Sequence, residues 1–91
     1  MRRIYLDNAA ATPVSTSAQK AVMETAKKFP GNPSGIHKEG RSARAVLEGA
    51  RAEIAGAISA RHDEVVFTSG ATEANNMAIF GVVRSARARG I

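Results

Sequence analysis

The apolar residues change period along the chain, and each change marks an element. Ile4, Tyr5 and Leu6 form a short apolar cluster closed by Asp7-Asn8, the pattern of a brief extended segment. In SAQKAVMETAKKF, residues 17 to 29, Ala18, Ala21, Val22, Thr25, Ala26 and Phe29 fall on one stripe, which predicts a helix. Pro13 and the hydroxyl group of residues 15 to 17 are start signals. Lys27 and Lys28 fill the last turn, and Pro30-Gly31 stops it. Residues 30 to 37, PGNPSGIH, hold two prolines and two glycines and read as a turn cluster of defined shape. A long helix follows from about Lys38 to Ser59, with Ala43, Val46, Leu47, Ala50, Ile54, Ala57 and Ile58 at helical spacing. Gly49 and Gly56 each cost such a helix about 1 kcal/mol against Ala, so their presence predicts close packing of another element.

After the connection ARHD, the run Val65-Val66-Phe67 lacks polar alternation. That is the pattern of a strand covered on both faces, as in a parallel sheet between helices. The last helix is predicted from about Thr72 to Arg87, with Ala74, Met77, Ala78, Gly81 and Val82 facing inward. The class is therefore α/β: three helices, one central-type parallel strand and a short N-terminal extended segment. A single central strand leaves its edges unpaired. Its neighbours must belong to a longer protein or to a second copy.

Composition narrows the function classes. The 91 residues suit one domain; 44% are hydrophobic and 4% aromatic, so the core draws on Ala and aliphatic side chains. The absence of cysteine excludes a disulfide scaffold, a thiolate metal site and a Cys nucleophile within these residues. Net charge is +5, spread over the helices. Only RSARARG, residues 84 to 90, is dense, and there cations complement a helix C-terminus. No aromatics interleave with these charges, so a nucleic-acid partner finds no motif. Neither a signal-peptide pattern nor an apolar run of membrane-spanning length is present, and the expected location is cytoplasmic.

The candidate chemistry lies in TSGATEANNMAIFGVV, residues 68 to 83. A β-rich run, EVVFT, stops at Ser69-Gly70 and a helix begins at once. The first amides of a helix have no partner inside it and carry partial positive charge. Small residues there let a phosphate approach the backbone, and the Thr72 hydroxyl adds a donor. Ser69-Gly70-Ala71-Thr72 therefore reads either as a turn with a cap or as an anion site. Glu73 complements the dipole; beside a phosphate its side chain should point away. His37 and His62 lack metal-ligand spacing, so no metal is expected, and His37 is expected to fix the loop before it. No Ser-His-Asp or paired-carboxylate arrangement is present, and no catalytic residue is assigned.

Three motifs coincide with one family. YLDNAAATP, GNPSGIHKEGRSAR and EVVFTSGATEANNMAI, in this order and spacing, resemble the cysteine desulfurases of the NifS/IscS type. These are class V aminotransferases within fold type I of the pyridoxal phosphate (PLP) dependent transferases. The resemblance covers essentially the whole chain. It implies that residues 1–91 are the N-terminal part of such a domain, with 1–14 an N-terminal arm and 15–91 the start of the large PLP-binding domain. It implies an enzyme that converts L-cysteine to L-alanine, with PLP as electron sink, and passes persulfide sulfur to iron–sulfur cluster assembly or tRNA thiolation. By the same resemblance Ala71 and Thr72 bind the PLP phosphate, and Asn8, Ala9, Ala10 and Asn32 lie at the edge of the site. A homodimer and a sulfur-accepting scaffold protein are the implied partners.

The family's PLP lysine follows a Ser-x-His-Lys motif, which none of Lys20, Lys27, Lys28 and Lys38 matches. The persulfide cysteine is also missing, so the 91 residues alone are expected to be inactive. Ala11 stands where the family usually has Thr, which puts a polar role there in doubt. The competing reading is a non-catalytic remnant or interaction module with the same partial fold.

Overall fold

Ser15 starts the first helix. Its Oγ accepts from the Ala18 amide at 3.2 Å, replacing a partner that the first turn cannot supply. In the computed structural model, which describes residues 1–91, this helix α1 runs Thr16–Lys28. Phe29 closes it by donating its amide to the Thr25 carbonyl at 2.9 Å. The second helix, α2, runs Lys38–Ala57 and the third, α3, Ala71–Ala88. A single 3-10 turn, His62–Glu64, lies at the end of the ARHD connection and takes in Glu64, the first residue of the EVVFT run. Contacts divide the chain into two units, Met1–Ala50 and Arg51–Ile91, with the boundary inside α2.

Local chemistry accounts for where the helices stop. Ser59 adopts φ 55°, and the Ala60 amide reaches back to the Ala55 carbonyl at 2.9 Å. This is a Schellman closure with Ser in the position usually held by Gly, and it ends α2 at Ala57 rather than at the predicted Ser59. Gly90, at φ 74°, closes α3 the same way: Ile91 donates to Ala86 at 2.9 Å and Gly90 to Arg87 at 3.1 Å.

In the first unit, the PGNPSGIH loop folds onto the start of α2. Asn32 makes an Asx turn, its Oδ1 accepting from the Ser34 amide at 2.9 Å, while its carbonyl accepts from Gly35 at 2.8 Å. A Cβ on Gly40 would run into the Gly35 carbonyl group and would meet the Asn32 carbonyl oxygen at 2.8 Å. A Cβ on Gly31 would overlap the Glu39 carbonyl. These glycines are needed for close backbone approach, since neither has a positive φ.

His37 does fix this loop. Its Nδ1 accepts from the Gly40 amide at 3.1 Å, an N-cap role for an imidazole. Glu39 Oε2 lies 3.3 Å from the same nitrogen. One nitrogen cannot accept from the amide and donate to the carboxylate at once, and the amide contact is the shorter of the two. His37→Ala should therefore cost about 1 kcal/mol of helix stability, and His37→Asn, which can cap, should recover most of it. Urea melts followed by far-UV circular dichroism measure this; equal midpoints for wild type and His37→Ala would refute the cap.

Three expectations need correction. First, the chain has no strand. Val65 is extended, at φ −100° and ψ 124°, but Val65-Val66-Phe67 pairs with no other segment. A strand exists only through its ladder partners, and these 91 residues contain none for it. Residues 4 to 6 likewise form no strand; the Tyr5 hydroxyl instead clasps a turn, lying 2.9 Å from the Asp7 carbonyl and 3.0 Å from that of Ala11. Second, Gly49 and Gly56 pack against nothing: a Cβ at either would find no atom within 4 Å. Third, the inward face expected for α3 is not buried. No residue of α3 is buried, and Ile79, Phe80 and Val82 are 63%, 54% and 70% exposed. The apolar side chains from Met77 to Val83 surround this helix, the composition of a helix covered on all sides. Ala43 and Ala55 carry the only buried apolar side chains.

Candidate functional site

The site grows from the junction of residues 64–70 with α3. Val66 and Thr68 line one side of a shallow apolar hollow, and Ala74, Met77 and Ala78 of α3 line the other. The Thr68 hydroxyl donates to the Gly70 carbonyl at 3.0 Å, shaping the turn. Gly70 is the N-cap of α3, in extended backbone at φ 163° and ψ −175°. Any residue adopts that conformation, and a Cβ there would meet nothing within 4 Å. Gly70 is thus required neither by its dihedrals nor by packing within this unit. What its missing side chain provides is open access to the helix end.

That end is uncapped. No side chain of the chain accepts from it, and the first intrahelical bond of α3 is Ala74 N–H to the Gly70 carbonyl at 3.1 Å. The amides of Ala71, Thr72 and Glu73 precede that bond and have no intrahelical acceptor. The Thr72 carbonyl accepts from Asn76 Nδ2 at 2.8 Å, so one of the two adjacent asparagines braces the first turn. Glu73 fits the dipole-complementing role and departs only from the outward course that a phosphate would favour. Its Oε2 accepts from the Ser69 hydroxyl at 3.0 Å, which draws the carboxylate back toward the turn. An anion at the helix end would meet this charge.

The donor set suits a phosphate: three unmatched amides, a hydroxyl at Thr72, the positive end of a dipole and no Cβ at the entrance. Ala71 and Thr72 are both part of it. Asn8, Ala9 and Ala10 form an exposed turn in the other unit, closed by the Ala10 amide on the Asp7 carbonyl at 3.1 Å. Asn32 belongs to that unit too, its side-chain oxygen committed to the Asx turn. No group of His, Cys, Asp and Glu is arranged to hold a metal ion.

One residue escaped the sequence pattern. Arg51 Nη1 donates to the Val65 carbonyl, and the guanidinium lies over the Phe67 ring at 4.9 Å from its centroid. The only signal in the sequence is a cation directly after Ala50 of the apolar stripe, which periodicity assigns to solvent.

Comparison with known proteins places the chain. No helix is long and apolar enough to cross a membrane. No solved structure matches the chain. Among curated relatives, the cysteine desulfurase IscS of Dictyoglomus turgidum is 48% identical over 89 residues, 98% of this chain and 23% of the relative. The putative cysteine desulfurase IscS 1 of Bacillus subtilis is 46% identical over 81 residues, 89% of this chain and 21% of the relative. A selenocysteine lyase of Xenopus tropicalis is 41% identical over 83 residues, 91% of this chain and 19% of the relative. The chain thus spans about a fifth of the length of the curated relatives it matches. The family model for aminotransferase class-V matches residues 4–90, from the Tyr5-clasped turn through the uncapped helix end to the Gly90 closure, and the chain belongs to that family.

Proposed function

We propose that this chain forms the phosphate-binding start of a PLP-dependent cysteine desulfurase of the IscS/NifS type, acting on L-cysteine. The observation that carries the reading is the uncapped N-terminus of α3 behind Gly70. Family membership and relatives named as cysteine desulfurases support it. When bound, PLP supplies an electron sink that eases bond cleavage next to the amino-acid nitrogen. The part played by these residues is binding and orientation. The amides of Ala71, Thr72 and Glu73 and the Thr72 hydroxyl hold the phosphate. The α3 dipole opposes its charge, and Gly70 leaves room for it.

In the same reading residues 1–14 are an arm and 15–91 begin the large PLP-binding domain of fold type I. Asn8, Ala9, Ala10 and Asn32 belong to the edge of the site in the assembled enzyme. That enzyme is a cytoplasmic homodimer that hands persulfide sulfur to a scaffold protein for iron–sulfur clusters or to tRNA thiolation. The 91 residues hold no cysteine and no lysine in a Ser-x-His-Lys setting, so this chain alone releases no alanine. A relative named selenocysteine lyase supports a second reading, in which the same phosphate grip serves a selenium substrate.

The test is a chimera in which these residues replace the matching quarter of the Dictyoglomus turgidum relative. The expected result is a protein that retains PLP through dialysis and forms alanine from L-cysteine. The 91-residue chain alone should do neither. A folded chimera that holds PLP but forms alanine only from L-selenocysteine would favour the second reading. One that folds and retains no PLP would overturn the phosphate assignment.

A further inference from the structure

The turn that leads into α3 is held from a distance by one side chain. Arg51 donates to the carbonyl of Val65, 14 residues further on, and covers the ring of Phe67. The other hydrogen bonds of residues 65–70 are short-range. The Val65 amide meets the His62 carbonyl at 3.4 Å, Thr68 Oγ1 meets the Gly70 carbonyl at 3.0 Å, and Ser69 Oγ meets Glu73 at 3.0 Å. None of these ties the extended run to α2. An unpaired extended run has no ladder to direct it, so its course depends on what grips its backbone and side chains. Arg51 grips both. Its planar fork donates to a carbonyl while its face stacks on the aromatic ring, a combination that a lysine reproduces only in part.

We infer that Arg51 is a positioning residue for the anion-binding end of α3. By holding Val65 and Phe67 it sets the direction in which Thr68-Ser69-Gly70 enters the helix, and so where the amides of Ala71 to Glu73 aim. Phe67 and Gly70 are three residues apart, about 10 Å of extended chain, so a swing at the ring displaces the helix entrance. The inference rests on the phosphate reading of that helix end.

The test uses the 91-residue chain and two readouts. Chymotryptic cleavage after Phe67, and after Tyr5 in its clasped turn as a control in the other unit, is followed by mass spectrometry. The phosphorus NMR line width of inorganic phosphate reports occupancy of the helix end. Arg51→Met keeps the apolar stem and removes the charge and donors. It should speed cleavage after Phe67 about tenfold, the scale of one lost charged hydrogen bond, and leave cleavage after Tyr5 unchanged. It should also reduce phosphate broadening, with Arg51→Lys recovering part of both effects. Unchanged cleavage after Phe67 would overturn the inference. So would faster cleavage at both sites, which means general unfolding, or faster cleavage after Phe67 with undiminished phosphate broadening, which means a purely structural tie. A wild type that fails to broaden phosphate would refute the phosphate site itself, and this inference with it. That outcome is told apart because it precedes any substitution.

Discussion

Gly40→Ala should destabilise the first unit by about 2 kcal/mol, although it places a better helix former inside a helix. Two terms of opposite sign compete. Ala in place of Gly favours a helix interior by about 1 kcal/mol. Against this, the new methyl would overlap the carbonyl group of Gly35 and press on that of Asn32, both of them backbone. Backbone cannot rotate aside as a flexible side chain can, and overpacking of this kind costs about 1–3 kcal/mol or more. Gly40 is itself buried, so the methyl has no route to solvent. Moving the loop would also break the His37 cap and the Asx turn at Asn32. The sterically open glycines of the same helix supply the control. At Gly49 and Gly56 a Cβ meets nothing within 4 Å, so Ala there should stabilise the isolated chain by up to about 1 kcal/mol. Urea melts of the three variants by far-UV circular dichroism decide the matter. Stabilisation at all three positions would show that propensity alone governs α2. A chain whose buried core is Ala43 and Ala55 has little reserve, so Gly40→Ala should also lower the helical signal before any denaturant is added.

Thr72→Glu should speed PLP loss from the chimeric enzyme about a hundredfold, and Thr72→Ala about tenfold. Alanine removes a hydroxyl donor to a charged group, a difference of about 1.5–3 kcal/mol. Glutamate removes the same donor and adds a negative charge at the helix end, where Glu73 already places one beside Ser69. Repulsion then adds to the lost bond. The rate of cofactor release after dilution is the measurement. Covalent attachment elsewhere in an assembled enzyme compresses both effects without changing their order. Equal release rates for wild type, Thr72→Ala and Thr72→Glu would leave Ser69-Gly70-Ala71-Thr72 as a turn and nothing more.

The helices and their limits were legible because the interactions that make them are local. The Ala18-Ala21-Val22-Thr25 stripe, Ser15 before α1 and the glycines and prolines of PGNPSGIH act within one or two turns of the chain. Prediction and structure agree there to within two residues at the helix ends. The miss at the end of α2 is itself local: Ser59 takes a left-handed conformation that its residue type does not advertise. The three family motifs were legible for another reason, since each is a contiguous run. For the same reason Ala71 and Thr72 stand out in sequence, and the structure adds that the helix end they begin is uncapped.

What the sequence determined by itself is therefore the set of helices, the tight loop before α2, the small-residue turn before α3 and the family to which they belong. Tertiary structure decided which glycines are indispensable. Gly40 and Gly49 lie in the same helix and look alike in sequence, yet one touches backbone and the other faces open space. It also decided the state of Val65-Val66-Phe67, which was expected to be a central strand and forms no ladder without a neighbouring strand. And it brought Arg51 onto that segment, 14 residues away. The physical reason is common to all three. Periodicity and propensity report on a residue's own turn of chain, whereas a close approach, a sheet pairing and a side-chain tether depend on where distant segments return.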